Sequence, residues 1–434
     1  MTFIDARDVS ADPTSATRLA DDGLEYRVVD VADATRATAF QRAVSRGFLG
    51  AEPTAEAVEH GRAPFEARRN VGVYEAGAAA EALPVATTNS WVTPLTVPGG
   101  AEIGMWAISV VTVAATHRRR GIARALLEGE LRAAAEAGVP MAGLTVSEAT
   151  IYGRYGFGPA VPVTRLAIDT RRAGWSGPSP DGRVEFVAKE ELAADLGTVH
   201  ERVRRTRPGQ IPGWTGRWQG FAGLSPSDAD RDRVRGVRYL DQAGELRGAL
   251  AYTLSEKDGT FRFGMHIRML VAETSDALAA LWRFALQHDL VDEVDAGLRA
   301  LDDPLPWLVA DPRGVTKTEH DHGWLRILDV PAALVARRYA APLDLVIRVS
   351  DPLGFAAGDW RLRVDGTGAA TAERATGAEP DVLLGVADLS SLYLGGVRAA
   401  TLHAAGRIGA DAATVDALDR AFASYPVPSL DIWY

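Results

Sequence analysis

The chain has 434 residues, a length that calls for two or three domains and not one core. Apolar residues make up 47% and charged residues 24%, which excludes a disordered chain, and no run of 18 apolar residues is present to span a membrane. The net charge of −10 argues against a nucleic-acid-binding face, and the absence of cysteine excludes disulfides, thiolate metal sites and a cysteine nucleophile.

The opening stretch, MTFIDARDVSADPTS, carries acidic residues where a signal peptide would be basic and then apolar, so a cytoplasmic location is expected. Strand-like runs follow at Val71 to Tyr74 and Met105 to Val113. A helix is expected after Gly121, because Ala123, Leu127, Leu131 and Ala134 recur at spacings of three and four and form one apolar stripe. Gly138 and Pro140 stop it, and Met141 to Val146 reads as the next strand. Strand, glycine turn, helix, strand is the grammar of an α/β layer.

A turn-rich segment, AGWSGPSPDG, separates VTRLAI from RVEFV and marks a first boundary near Arg172. Strands at Leu250 to Leu254 and Phe263 to Leu270 and a helix near Asp276 to His288 repeat the earlier order, which suggests a duplicated domain without visible sequence identity. A third region begins near Val330 with the strands LDLVIRVSD and WRLRVDG, then alternates helix signals with glycine turns. No short-period repeat points to a solenoid.

The strongest chemical signal is Arg118-Arg119-Arg120-Gly121-Ile122-Ala123, between a strand and a helix start. Glycine allows close backbone approach, the first helical turn leaves N–H groups unpaired, and the arginines add charge-assisted bonds, so a pyrophosphate would be bound here. The competing reading is a solvated basic turn, although basic residues at a helix start oppose the dipole unless an anion relieves them. In IYGRYGFG, Tyr152, Tyr155 and Phe157 are alternative aromatic candidates, since aromatics beside glycines also pack tight turns. Glu319-His320-Asp321-His322 crowds potential metal ligands together, but successive strand residues face opposite sides, and a polar hairpin turn before a strand at Trp324 to Leu328 is expected there. No G-x-S-x-G elbow or hydrolase triad can be assembled.

The Arg-x-x-Gly-x-Ala pattern after the strand AISVVTVAATH resembles the pyrophosphate loop of the GNAT superfamily of acetyltransferases, and SEATIYGRYGFGPA narrows the resemblance to the Eis (enhanced intracellular survival) acetyltransferases. The runs DVLLGVADLSSLYLGG and LHAAGRIG extend it through the last third. The resemblance implies an α/β (α+β) chain with two GNAT-like domains of mixed sheets, at 1–170 and 171–328, and a sterol carrier protein-like domain at 329–434. It implies an acetyl-CoA-dependent N-acetyltransferase with no metal, acting on a primary amine of the aminoglycoside, polyamine or lysine type, and a homohexamer. Val111, Thr112 and Val113 would lend backbone groups to the pantetheine arm. Arg119, Arg120, Gly121, Ile122, Ala123 and Arg124 would hold the phosphates, and Ser147 and Glu148 would line the cofactor. Tyr152 would be the general acid that protonates the leaving thiolate, and the terminal carboxylate of Tyr434 the general base. The second domain lacks the loop glycine, and Glu273 would repel a phosphate, so it reads as a cofactor-free scaffold. The alternative is a lipid-binding or regulatory protein with a vestigial transferase.

Overall fold

The computed structural model describes residues 3–257, 259 and 261–434. The chain forms two compact units, one built from the residues up to Val161 together with 322–425 and Tyr434, the other from 162–321 and 426–433.

In the first unit, β1 (Leu24–Val28), β2 (Arg69–Glu75), β3 (Ala86–Thr96) and β4 (Glu102–Val113) form an antiparallel run, and β5 (Met141–Thr145) joins β4 in parallel. The helices are α1 (Pro13–Ala20), α2 (Ala34–Gly47), α3 (Ala55–Glu66), α4 (Ile122–Glu136) and the single turn α5 (Ala149–Tyr152). The first three start where the sequence supplies a cap: the side chains of Asp12, Asp33 and Thr54 each accept from backbone N–H groups of the opening turn. Helix α4 is more deeply embedded than one stripe would require. Leu127, Leu131 and Ala134 are buried as expected, but so are Leu126, Glu128 and Glu130.

Glu130 is held by a polar network that the apolar pattern conceals. Its carboxylate takes a fully buried ion pair from Arg69 and hydrogen bonds from Ser90 Oγ and, at 3.0 Å, from Trp106 Nε1. Arg69 also donates to the carbonyls of Val9 and Ser10. Removing one partner of such a pair costs about 3–5 kcal/mol, so this network fixes α4 on the sheet.

The second unit contains β6 (Gly158–Asp169) from Pro162 onward, α6 (Thr170–Ala173), β7 (Arg183–Val187), α7 (Lys189–Val203), α8 (Thr215–Phe221), β8 (Arg235–Leu240), β9 (Leu246–Lys257), β10 (Arg262–Ala272), α9 (Ser275–Leu286) and β11 (Val291–Arg299). Its order is β6-β11-β10-β9-β8-β7, with β10 and β11 parallel, and its core centres on Trp282, Leu281, Tyr252 and Leu250. The strand–helix–strand order of the first unit therefore recurs.

Glu319 to His322 does not form a hairpin turn. These residues lie inside β12 (Val315–Ile327), a strand longer than Trp324 to Leu328 alone. The local cluster of polar side chains misled the turn assignment, because strand pairing satisfies the backbone whatever the side chains are: the His322 carbonyl accepts from Val146 N at 3.1 Å. Among the described residues, no group of three His, Asp or Glu side chains is arranged to hold a metal.

The remainder of the first unit has α10 (Val330–Ala336), β13 (Leu343–Ser350), β14 (Gly358–Val364), β15 (Ala370–Arg374), β16 (Val382–Gly385), α11 (Val386–Leu392), α12 (Ala399–Ala404), β17 (Ile408–Gly409) and α13 (Ala412–Phe422). Its sheet order is β15-β14-β13-β16-β17, with β13 and β16 parallel. The interior holds a cation: Arg337 is 1% exposed, lies 4.6 Å from the Tyr339 ring and 4.7 Å from the Phe422 ring, and donates to the carbonyls of Tyr393 and Phe422.

Candidate active site

Two parallel strands that part company make the cleft. Strand β4 pairs with β5 only from Met105 opposite Met141 to Ala107 opposite Gly143. Beyond that point β5 stays bonded to β12, as far as Thr145 opposite Gly323, while β4 stays with β3 up to Val113. The separation opens backbone groups that a continuous ladder would consume.

A bulge re-aims β4 at the mouth of this cleft. Between Thr87 and Asn89 on β3 the register slips, so that Val110 and Val111 together oppose Thr88. Val110 has φ +48°, an unusual conformation for a β-branched residue, and Thr87 Oγ1 donates to its carbonyl at 2.8 Å. Thr112 is buried, with its hydroxyl 2.7 Å from that of Thr87. Gly47, at the end of α2, has no room for a side chain, since a Cβ would come within 2.3 Å of Thr112. The Thr112 side chain is thus committed to packing.

The loop into α4 is open and uncapped. Arg119 (φ +63°) and Gly121 (φ +73°) both adopt the left-handed conformation, and nothing lies within 4 Å of where a Gly121 side chain would begin. No side chain caps α4, and no acidic residue stands in its first turn. Its leading N–H groups and the positive end of its dipole therefore face outward, beside exposed Arg118, Arg119 and Arg120. Ile122 is buried as the anchor of the helix start, and Ala123 is half-buried. Arg120 donates to the Asp22 carbonyl at 2.7 Å, and Arg124 pairs with Glu128 at 2.6 Å, so these two are drawn to protein partners in this conformation.

Ser147 and Glu148 are exposed just past β5, and Glu148 leads into α5. Tyr152 ends α5, is 7% exposed, and packs edge-to-face on Phe157 with ring centroids 6.2 Å apart. Burial, reinforced by the Glu148 charge, raises its phenol above the ordinary tyrosine range. Tyr155 and Phe157 are also buried in the same cluster, and burial raises the Tyr155 phenol as well.

Tyr434 lies on the first unit. Thr145 Oγ1, at the end of β5, donates to its main-chain oxygen at 2.7 Å and accepts from its N–H at 3.3 Å. Its ring meets Trp91 edge-to-face at 5.6 Å, and the Arg68 guanidinium stacks on that tryptophan, 3.7 Å from the ring centre. At Gly143 a Cβ would meet Met105 Sδ first, at 2.3 Å, and stand 3.1 Å from the Tyr434 hydroxyl. Thr145, Trp91 and Gly143 were not identifiable from the sequence. Their only signal is position, at the end of β5 and across β3, which requires the strand pairing to be known.

The second unit shows what the corresponding cleft becomes with different residues. Strands β10 and β11 pair in parallel from Phe263 opposite Val291 to Ile267 opposite Ala296, and a cavity of about 200 Å³ lies beyond, lined by Leu270, Ala272, Leu298 and Arg299. Residues of the tail enter it. Ser429 N donates to the Pro208 carbonyl at 2.9 Å, Gln210 Nε2 donates to Ser429 Oγ at 3.2 Å, and His200 Nε2 lies 3.3 Å from the Asp431 carboxylate. Helix α9 is capped by Thr274, which accepts from Ala277 N at 3.1 Å, and neighbouring Glu273 is paired with Arg202 and Arg247.

A splayed pair of parallel strands, a bulge beside the gap and an uncapped helix start behind a glycine define an acyltransferase of the GNAT class. Family models agree: an acetyltransferase (GNAT) domain matches residues 29–160, a second matches 213–327, and a sterol carrier protein domain matches 330–430. The N-acetyltransferase Eis of Mycobacterium tuberculosis is 36% identical, over 76% of this chain and 81% of its own. A protein of Streptomyces avermitilis named as an N-acetyltransferase is 37% identical, over 85% of this chain and 88% of its own. Among solved structures, Eis1 from Mycobacterium abscessus superposes with a TM-score of 0.78 at 29% identity, covering 95% of this chain and all (100%) of that one. The chain belongs to the Eis family of GNAT N-acetyltransferases.

Proposed function

We propose that this enzyme transfers acetyl from acetyl-CoA to a primary amine by direct attack in the cleft between β4 and β5. The observation that carries the reading is the uncapped, glycine-led start of α4 beside three exposed arginines, a fit for the pyrophosphate of the cosubstrate. Val111, Thr112 and Val113 would engage the pantetheine arm through their backbones, Ser147 and Glu148 would flank it, and Arg119, Arg120 and Arg124 would close on the phosphates. Acetyl-CoA supplies an activated thioester. The acceptor amine must lose a proton before attack, and the thiolate must gain one on leaving.

Tyr152 is the donor in this scheme. Its raised pKa keeps the phenol protonated throughout the neutral range, and a phenol matches a thiolate in basicity closely enough to donate as the charge develops. The carboxylate of Tyr434 is the base, directly or through a water. The Thr145 hydroxyl would hold one oxygen and leave the other to accept the proton. Residues 1–170 are the catalytic domain, 171–328 a GNAT-like scaffold and 329–434 the third domain of this arrangement, in a cytoplasmic homohexamer.

The alternative, a lipid carrier with a vestigial transferase, requires an apolar ligand inside the third domain. Arg337 argues against a ligand in its part of the interior, since one there would have to displace a buried cation bonded to the carbonyls of Arg338, Tyr393 and Phe422. Release of CoA thiol from acetyl-CoA is to be measured with aminoglycosides, polyamines and lysine peptides, beside retention of a fluorescent fatty acid. Amine-dependent thiol release without probe retention is expected. Probe retention with no thiol release for any amine would overturn the transferase reading.

A further inference from the structure

The turn that carries Tyr152 is tied through β12 to the third domain. After α5 the chain makes a tight 3₁₀ turn over Gly153–Tyr155, closed by Gly156 N on the Gly153 carbonyl (3.1 Å) and Phe157 N on the Tyr152 carbonyl (3.4 Å). The carbonyl of Tyr155 accepts from Nε of Arg326 on β12 at 2.9 Å. Arg326 is completely buried, and its far nitrogen reaches both oxygens of Asp351, 2.7 Å to each. Asp351 follows β13, and its orientation is fixed in turn by the N–H groups of Leu353 (3.0 Å) and Ala356 (2.8 Å).

The fit around this chain of contacts is close. Gly156 has φ +85°, and a Cβ there would stand 2.6 Å from Arg326 Nε and 2.8 Å from Val386 at the head of α11. At Gly158 a Cβ would meet the Ala387 carbonyl at 1.9 Å and Ser391 Oγ at 2.4 Å. Two glycines thus let the Tyr152 turn press against α11 and the Arg326 guanidinium. A buried charge pair is expensive to build and is weak evidence for stability as such. Its distinctive property is directional: a planar guanidinium fixed by a carboxylate presents its Nε–H along one line.

We propose that Arg326, oriented by Asp351, is a positioning residue for Tyr152, so that the sterol carrier protein-like domain sets the geometry of the proton donor. The proposal rests on Tyr152 being the general acid. Arg326 touches no reacting atom and acts only by holding the Tyr155 carbonyl, three residues from the phenol. A donor displaced by a fraction of an ångström transfers its proton less well while the phosphate cradle, built on α4, is untouched.

The test is a cycle of Arg326→Lys and Tyr152→Phe. Lysine keeps the charge opposite Asp351 but cannot bridge that carboxylate and the Tyr155 carbonyl in one plane. Arg326→Lys is expected to lower kcat about tenfold with KM for acetyl-CoA within about twofold, and to add no further loss in the Tyr152→Phe background. Asp351→Asn, which keeps its volume but leaves one oxygen to serve the N–H groups of both Leu353 and Ala356, carries the same comparison, with circular dichroism to verify folding, if the lysine variant does not fold. Wild-type kcat in these variants, or an equal loss with and without the Tyr152→Phe change, would overturn the positioning role. If Tyr152→Phe alone turns over normally, it is the general-acid assignment that falls, and this outcome is separate from the other two.

Discussion

The two strand-splay clefts of this protein share one architecture and differ in what reaches them. In both, parallel strands separate after a few pairs and a helix starts at the gap. At the first, α4 begins behind Gly121 with its N–H groups uncapped and arginines around it. At the second, Thr274 caps α9, Glu273 stands beside it, and tail residues from Ser429 to Asp431 fill part of the gap. The lesson is that a GNAT cleft is a property of strand topology, whereas the capping of the helix beside it is a property of one turn. In the second turn Thr274 accepts from the Ala277 N–H and Glu273 is paired with Arg202 and Arg247, whereas no side chain caps the first.

The sharpest test of this contrast falls at the end of the chain. Adding three glycines after Tyr434 converts its carboxylate into a neutral amide and moves the charge away from Thr145. If the carboxylate is the base, kcat should fall about 10²-fold or more, since a misplacement of about 1 Å can already cost that much. Tyr434→Phe keeps the carboxylate and should alter kcat by less than about threefold. Steady-state turnover of both, with circular dichroism to verify folding, separates a catalytic end from a packed one. Normal turnover of the extended chain would leave Tyr434 with only a structural part.

Next in size is the effect at the first cradle. Gly121→Asp places a negative charge at the proposed phosphate site and strains a left-handed position, so KM for acetyl-CoA should rise about tenfold or more while KM for the amine changes little. Calorimetric titration with CoA checks it, and unchanged affinity would remove the loop from the site. The smallest effect belongs to the second cleft. Thr274→Ala should cost about 1 kcal/mol of stability through the lost cap, with no change in either KM. A denaturant midpoint measured alongside kinetics reads both, and a raised KM for acetyl-CoA would mean that the two clefts are more alike than their helix starts suggest.

Much of the first cleft was legible in the sequence. The apolar period of α4, the glycine before it and the stop at Gly138 are local properties, and each falls where the chain puts it, with the helix ending at Glu136. The polar run from Glu319 to His322 was misread as a turn because its side chains look like a loop. Its strand conformation comes from the pairing that carries β12, whose next residues, Gly323 to Ile327, run along β5. Glu130 was invisible as an anchor for a similar reason. A charge at a core position reads as an interruption until its partners Arg69 and Ser90, 61 and 40 residues away in sequence, are seen to meet it.

Contiguous residues were enough for the family, the two GNAT-like domains with the sterol carrier protein-like domain, and the glycine-led start of α4. Periodicity, turn chemistry and charge act over one or two turns of chain, so they can be read without knowing what lies across the sheet. Tertiary structure alone decided that Thr145 meets Tyr434 across 289 residues, and that Arg326 joins Asp351 to the Tyr155 carbonyl across 25 and 171. Such contacts are set by strand register and by the space that glycines at 143, 156 and 158 leave open. A glycine in a sequence says only that a side chain is missing; which neighbour occupies the gap is settled when the strands pair.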